Sequence, residues 1–317
     1  MTTRLILDVD TGTDDAVAIF AAACHPELEL LGVTAVNGNV ALNYTLENTL
    51  RVLDHIGSSV PAFAGADRPI VRPDFPIPRR VLNGDNPEFQ VNELDFPPST
   101  TPARPESAVR FIVDTIMADG GDEVVLVATG PLTNIALALI SEPRLAARIR
   151  RLVVMGGARG WGNVTGAAEF NFWVDPEAAE AVFSAGIRDV LILPLDATHS
   201  AQLGLDDCDA FDEIGTPAAT GSAALIRHRI QHYPDDPAAP RLTAPVHDAL
   251  CIAALVHPEV LTEVVEGEVH VETRGEHTLG EMVLDTRAWR TGPANARVAL
   301  RADAVVFSRF LAEAFRS

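Results

Sequence analysis

The chain has 317 residues, 47% of them hydrophobic and 21% charged, a balance that supports a large buried core and excludes a disordered chain. All 24 of its Lys-plus-Arg cations are Arg, which excludes Schiff-base lysines, P-loop lysines and Ser–Lys dyads. Set against 44 Asp plus Glu they leave a formal charge of -20, which repels a phosphate backbone and excludes nucleic acid as a partner.

Met1 runs straight into an apolar strand without a basic leader or a long apolar run, so we expect neither a signal peptide nor a membrane span. The pattern predicts a strand over Arg4–Val9 and a helix over Asp14–Ala23, whose acidic start suits a helix N-terminus. A second strand follows at Leu28–Val36, then a helix over Leu42–Ile56 with Leu46, Leu50 and Leu53 on one face, then a strand at Val60–Ala64. Residues 66–106 are rich in Pro, Asp and Asn with little periodicity and read as a lid or mobile segment. Strands are expected again at Glu123–Val127, Arg151–Met155 and Val190–Leu193, with helical pattern at Leu132–Leu139 and Pro176–Ser184. The last third reads as helices at Ala218–His232 and Asp248–His257, strands at Glu268–Thr273 and Gly280–Asp285, and a closing helix at Ala304–Phe315. This alternation predicts an α/β fold: one domain over residues 1–317, built on an open, mostly parallel sheet with helices on both faces. In such sheets ligands bind beyond the carboxyl ends of the strands.

The first of those strand ends carries Asp8-Val9-Asp10-Thr11-Gly12-Thr13-Asp14-Asp15, four carboxylates within eight residues. Carboxylates this close raise one another's pKa and cost stability unless a cation or hydrogen-bond donors compensate. A simple turn with Asp14 capping the helix is the plain reading. Two functional ones stand beside it: a hard divalent ion with oxygen ligands, or a phosphatase of the haloacid-dehalogenase type with Asp8 and Asp10 in its Asp-x-Asp motif. The phosphatase pattern meets Gly12 where Thr or Val is expected, and its downstream cation, usually Lys, could only be Arg here.

Elsewhere, His228 and His232 stand four apart, a zinc-ligand spacing without an evident third ligand, so a solvated helix face is expected. Trp161 and Tyr233 are aromatics that could stack on a ring, although packing is the commoner role. Cys24, Cys208 and Cys251 lack CxxC spacing and read as core residues of a cytoplasmic protein.

Residues Asp8 to Ala16 match the Asp-x-Asp-x-Gly-x-Asp-Asp-Ala opening of the inosine/uridine-preferring nucleoside hydrolases, and the resemblance continues at successive strand ends. Gly38-Asn39, Ala128-Thr129-Gly130-Pro131-Leu132-Thr133-Asn134, Met155-Gly156-Gly157, Asn163-Val164-Thr165, Ala168-Glu169-Phe170-Asn171, Val174-Asp175-Pro176-Glu177, Leu195-Asp196-Ala197-Thr198-His199 and Pro245-Val246-His247-Asp248 each resemble a stretch of that family. The likeness spans residues 4 to about 257 and is specific in combination rather than piece by piece.

The resemblance implies a calcium-dependent enzyme that hydrolyses the N-glycosidic bond of ribonucleosides. It implies Asp10, Asp15, Asp248 and the Thr129 carbonyl as Ca²⁺ ligands, with Asp10 also accepting the proton of the attacking water. Asp14, Asn39, Met155, Asn163, Glu169 and Asn171 would be ribose contacts, and His247 a general acid toward the leaving base. The family is also generally homodimeric or homotetrameric. A calcium-dependent nucleoside-binding protein without turnover is the non-enzymatic alternative. One departure stands out: Asn83-Gly84 lies where family members commonly carry His-Gly.

Overall fold

The computed structural model describes residues 2–72, 91–232, 242–290 and 292–316; Asn83, Gly84, Tyr233 and the middle of the 66–106 segment lie outside them. The chain opens with β1 (Thr3–Val9), α1 (Thr13–Cys24), β2 (Leu28–Ala35), α2 (Leu42–His55) and β3 (Ala62–Ala64). Along β1, Leu5, Leu7 and Val9 enter one apolar cluster and Ile6 another, because successive strand residues point to opposite faces. Both faces are therefore covered, and apolar Leu5, Ile6 and Leu7 follow one another without alternation.

Next come α3 (Ala108–Met117), β4 (Val125–Ala128), α4 (Thr133–Ser141), α5 (Leu145–Arg148), β5 (Arg151–Met155), α6 (Phe170–Val174), α7 (Pro176–Ser184) and β6 (Val190–Leu193). The C-terminal third supplies α8 (Leu195–Ser200), β7 (Gln202–Gly204), α9 (Leu205–Ile214), α10 (Pro217–His232), β8 (Thr243–Pro245), α11 (His247–Val256), β9 (Leu261–Val271), β10 (Met282–Asp285), β11 (Ala296–Ala302) and α12 (Ala304–Phe315). Strands β7 and β8 form a small antiparallel pair of their own.

The main sheet has nine strands in the order β10-β9-β11-β6-β5-β4-β1-β2-β3. Its pairings are parallel from β11 through to β3, while β9 runs antiparallel to both β11 and β10. The sheet is thus mostly parallel with helices on both faces, as expected. Asp8 is level with Thr34 on one side and Ala128 on the other. Ala128 is level in turn with Val154, and Met155 with Leu193. That register puts the residues following β1, β2, β4 and β5 along one edge, where α1 also begins.

Several boundaries differ from expectation. Residues Gly121–Glu123 form a 3-10 turn, so β4 starts at Val125 rather than at Glu123. β9 begins at Leu261, and β11 was not anticipated. The Arg-interrupted sequence of β11 hides a strand whose Arg297 reaches Asp189 at 2.7 Å and whose Arg301 is exposed.

Candidate active site

The loop from β1 to α1 folds its acids inward. Asp15 accepts from the backbone N–H of Gly12 at 3.0 Å, satisfying one of the orphan donors of a helix start. Its other oxygen accepts from the Thr129 hydroxyl at 2.9 Å, tying α1 to the end of β4. Asp10 accepts from the Asn39 N–H at 2.6 Å, and the Asn39 amide donates to the Asp10 carbonyl at 3.3 Å. Gly38 permits this approach: a Cβ there would stand 2.1 Å from an Asp10 carboxylate oxygen.

Asp248 arrives from the far end of the chain, on the first turn of α11, which packs against α1. Asp14, Asp15 and Asp248 each bring a carboxylate oxygen to within 4.8 Å of the others, all three side chains being buried. Asp10 lies close enough for its charge to be felt at Asp248, and for Asp15 and Asp14 to be felt at Asp10.

The electrostatics follow from that placement. Burial first, then the neighbouring carboxylates, push Asp10 and Asp248 well above the ordinary carboxylate range and Asp15 up to about 7. Such a set of hard oxygen donors, drawn from two ends of the chain and mutually repelling, fits a divalent cation of the Ca²⁺ type. Thiol or imidazole donors are not among the three converging groups.

Asp8 is built differently. It is wholly buried, one oxygen accepting from the Thr34 hydroxyl and from Asn134 Nδ2 at 2.7 Å, and burial lifts its pKa to about 7. A nucleophile must reach its substrate, so Asp8 is a poor fit to the phosphatase role. It joins β1 to β2 and α4 instead.

The expected ribose contacts gather on the neighbouring strand ends. Asn171 Nδ2 donates to the Thr129 carbonyl at 2.8 Å and to the Met155 carbonyl at 3.1 Å. Thr129, Met155 and Asn171 therefore meet at one point. Glu169 caps α6, accepting from Asn171 N at 2.9 Å, Gly157 N at 2.8 Å and Phe172 N at 3.2 Å. Burial outweighs those donors and raises Glu169 to about 7. Asn163, by contrast, is exposed and accepts from Phe170 N at 2.9 Å, a contact that shapes its own loop.

His247 is buried, with Nδ1 2.7 Å from the Thr198 hydroxyl and its ring 5.5 Å from that of His199. Burial, then the charges of Arg229 and His199, hold it well below the usual histidine range. A group held that low is neutral near pH 7.

Three contributors were not singled out from sequence. Thr198 fixes the His247 ring, and Asn134 fixes Asp8. Arg229, 1% exposed, donates to Asp14 at 2.8 Å and to the Thr13 hydroxyl at 2.9 Å. It follows Leu225 and Ile226 at helical spacing on the buried face of α10, and that position was the available signal. The rings of His228 and His232 lie with centroids 4.6 Å apart, tilted by 37°, and join no three-residue metal cluster among the described residues. Trp161 is 86% exposed, and all three cysteines are free. Among the described residues no helix is long and apolar enough to cross a membrane.

A buried acidic, oxygen-rich cluster at the carboxyl ends of a mostly parallel sheet is an arrangement that suits a hydrolase. Residues 5–309 match the model of the inosine-uridine preferring nucleoside hydrolases, and the chain belongs to that family. It is 39% identical to the pyrimidine-specific ribonucleoside hydrolase RihA of Escherichia coli over 317 residues, 99% of this chain and 98% of the relative. The purine-preferring ribonucleoside hydrolase from Gardnerella vaginalis superposes with a TM-score of 0.87 at 31% identity, covering 99% of this chain and 98% of that one. An inosine-guanosine nucleoside hydrolase superposes with a TM-score of 0.82 at 28% identity over 99% of both chains. The chain is accordingly an enzyme of ribonucleoside N-glycosidic hydrolysis.

Proposed function

We propose that the chain cleaves ribonucleosides to free base and ribose with Ca²⁺ at the carboxylate cluster. The convergence of buried Asp14, Asp15 and Asp248 beside Asp10 carries the reading. Asp10, Asp15, Asp248 and the Thr129 carbonyl would hold the ion, with Asp14 shared between ion and sugar. When bound, the ion supplies positive charge that orients sugar hydroxyls and acidifies a water.

Asp10 is the base. Held by the Asn39 N–H beside Asp14 and Asp15, its carboxylate would take a proton from the water attacking the anomeric carbon. As the new C–O bond forms, the C–N bond breaks and its electron pair leaves with the base. Positive charge developing on the sugar is stabilised by the surrounding carboxylates. Asn39, Asn171 and Glu169 ring the sugar; the Asn171 amide already bridges the Thr129 and Met155 carbonyls.

His247 assists departure of the base. Thr198 holds the ring through Nδ1; in the tautomer whose Nδ1 accepts from that hydroxyl, the single N–H of the neutral imidazole is at Nε2, where it would donate to the developing negative charge.

The test is a panel of purine and pyrimidine ribonucleosides assayed for free base, before and after chelation and with Ca²⁺ restored. Turnover lost on chelation and regained with Ca²⁺ is expected. Full activity in chelator overturns the metal, and release of phosphate from phosphate esters without nucleoside cleavage overturns the reaction.

A further inference from the structure

Arg229 is the largest fully buried side chain among the described residues, 1% exposed in a protein whose charge is -20. A buried guanidinium is costly to desolvate and persists where its charge and donors are matched. Here Nη1 donates to Asp14 at 2.8 Å and to the Thr13 hydroxyl at 2.9 Å, while Nε donates to the Pro245 carbonyl at 2.9 Å. One planar group thus spans three segments: the start of α1, the end of β8 two residues before His247, and its own helix α10. Asp14 is 6% exposed, so the pair is shielded from water on both sides.

Among the described residues no other Arg forms a salt bridge with Asp8, Asp10, Asp14, Asp15 or Asp248. The acidic cluster therefore has a fixed cation at one rim. Arg cannot lose its proton in a protein, so this charge is present whether or not a metal is bound.

We infer that Arg229 is a positioning residue that clamps Asp14 and the β8 end into the geometry of the site and serves as its standing counter-charge when the divalent ion is absent. The inference rests on the metal reading proposed above. Two consequences follow from the geometry. Removing the guanidinium leaves Asp14 buried beside Asp15 and Asp248 without its partner, which harms the metal-free protein more than the metal-bound one. It also releases the Asp14 carboxylate, which weakens the grip on the ribose. Lysine keeps the charge, but a single ammonium cannot hold Asp14 and the Pro245 carbonyl at the spacing of the Arg fork.

The experiment compares parent, Arg229→Lys and Arg229→Met, measuring Tm in chelator and in saturating Ca²⁺, with KM and kcat on a cleaved ribonucleoside. Arg229→Met should lose roughly 5 to 10 °C in chelator, as expected for breaking a buried ion pair, and recover about half or more of that loss in Ca²⁺. Arg229→Lys should fall between the two. KM should rise roughly tenfold in Arg229→Met, with a smaller change in kcat. If Arg229→Met does not fold, Arg229→Gln and Arg229→Lys carry the same comparison. A Ca²⁺-induced rise in Tm no wider in the variants than in the parent, or an unchanged KM, overturns the inference and leaves Arg229 as a structural ion pair. A parent that gains no stability from Ca²⁺ overturns the metal reading and this inference together.

Discussion

Gly38→Ala is the smallest change that should disable the site. The added methyl would meet Asp10 Oδ2 at 2.1 Å, more than 1 Å inside the 3.4 Å at which ordinary contact begins, and its Cβ and Cγ at 2.6 Å. Asp10 is buried and held by the Asn39 N–H, so the strain cannot be discharged by swinging the carboxylate into solvent. Either the Asp10 side chain turns or β1 and the Gly38 loop separate, and both move the proposed base by about the length of the overlap. A displacement near 1 Å in a reacting group costs roughly 10²-fold in rate. Overpacking of this kind costs about 1–3 kcal/mol in stability, equivalent to a few degrees in Tm. Free-base release from a ribonucleoside at saturating Ca²⁺ gives kcat, and a thermal melt gives Tm. Gly57→Ala is the control, since Gly57 has φ 64 and open space around its missing Cβ. It should cost about 1–2 kcal/mol from backbone strain and leave kcat unchanged. A Gly38→Ala enzyme with kcat within about threefold of parent would show that the position of Asp10 does not matter to turnover, and the assignment of the base would fall.

Three further outcomes follow. His247→Ala should slow cleavage of a natural nucleoside by roughly 10²-fold or more yet spare a p-nitrophenyl riboside, whose leaving group needs no help; equal losses on both would make His247 a support for Asp248. If the sugar hydroxyls contact the metal cluster, 2′-deoxynucleosides should lose on the order of a few kcal/mol of transition-state stabilisation, and equal rates on both sugars would refute that contact. In chelator, Tm should fall from pH 5 to pH 8. Burial lifts Glu169 from 4.5 to about 7, so its protonated form contributes about 3 kcal/mol of stability below 4.5 that is lost as pH rises through 7. Glu169→Gln should flatten that slope, and an unchanged slope would mean that Glu169 ionises freely.

The sheet and most helices were legible because their residues obey simple periods. The apolar run of Leu5, Ile6 and Leu7 in β1 and the Leu46, Leu50, Leu53 stripe of α2 fall where they were expected. β11 was not, since Arg297 and Arg301 break its apolar pattern while an ion pair from Arg297 to Asp189 and the solvent exposure of Arg301 accommodate them. In the site, the acids of the β1–α1 loop were legible from local density of charge. The meeting of Asp15 with Asp248 came from the family resemblance alone, and Asp14 was expected at the sugar rather than among them, because the grouping depends on how α1 and α11 dock. Asn163 sits in a matching stretch, yet its carbonyl is committed to Phe170 N, a contact that composition does not signal. Thr198 and Arg229 act through another side chain, and single-residue chemistry gives no sign of such partnerships.

The cluster draws Asp14 from the first helix and Asp248 from the eleventh. A cation seated there would close a covalent loop running through most of the polypeptide, in a protein whose three cysteines are all free. The entropy cost of closing a loop grows only slowly with its length, but for a loop this long it is already large. The site exists only in the folded chain, so an ion would not restrict the unfolded ensemble as a disulfide does; it would stabilise the fold by binding that state alone, the more so the higher its free concentration. Release of the ion would withdraw that stabilisation while the packing of α1 against α11 still holds the N- and C-terminal segments together.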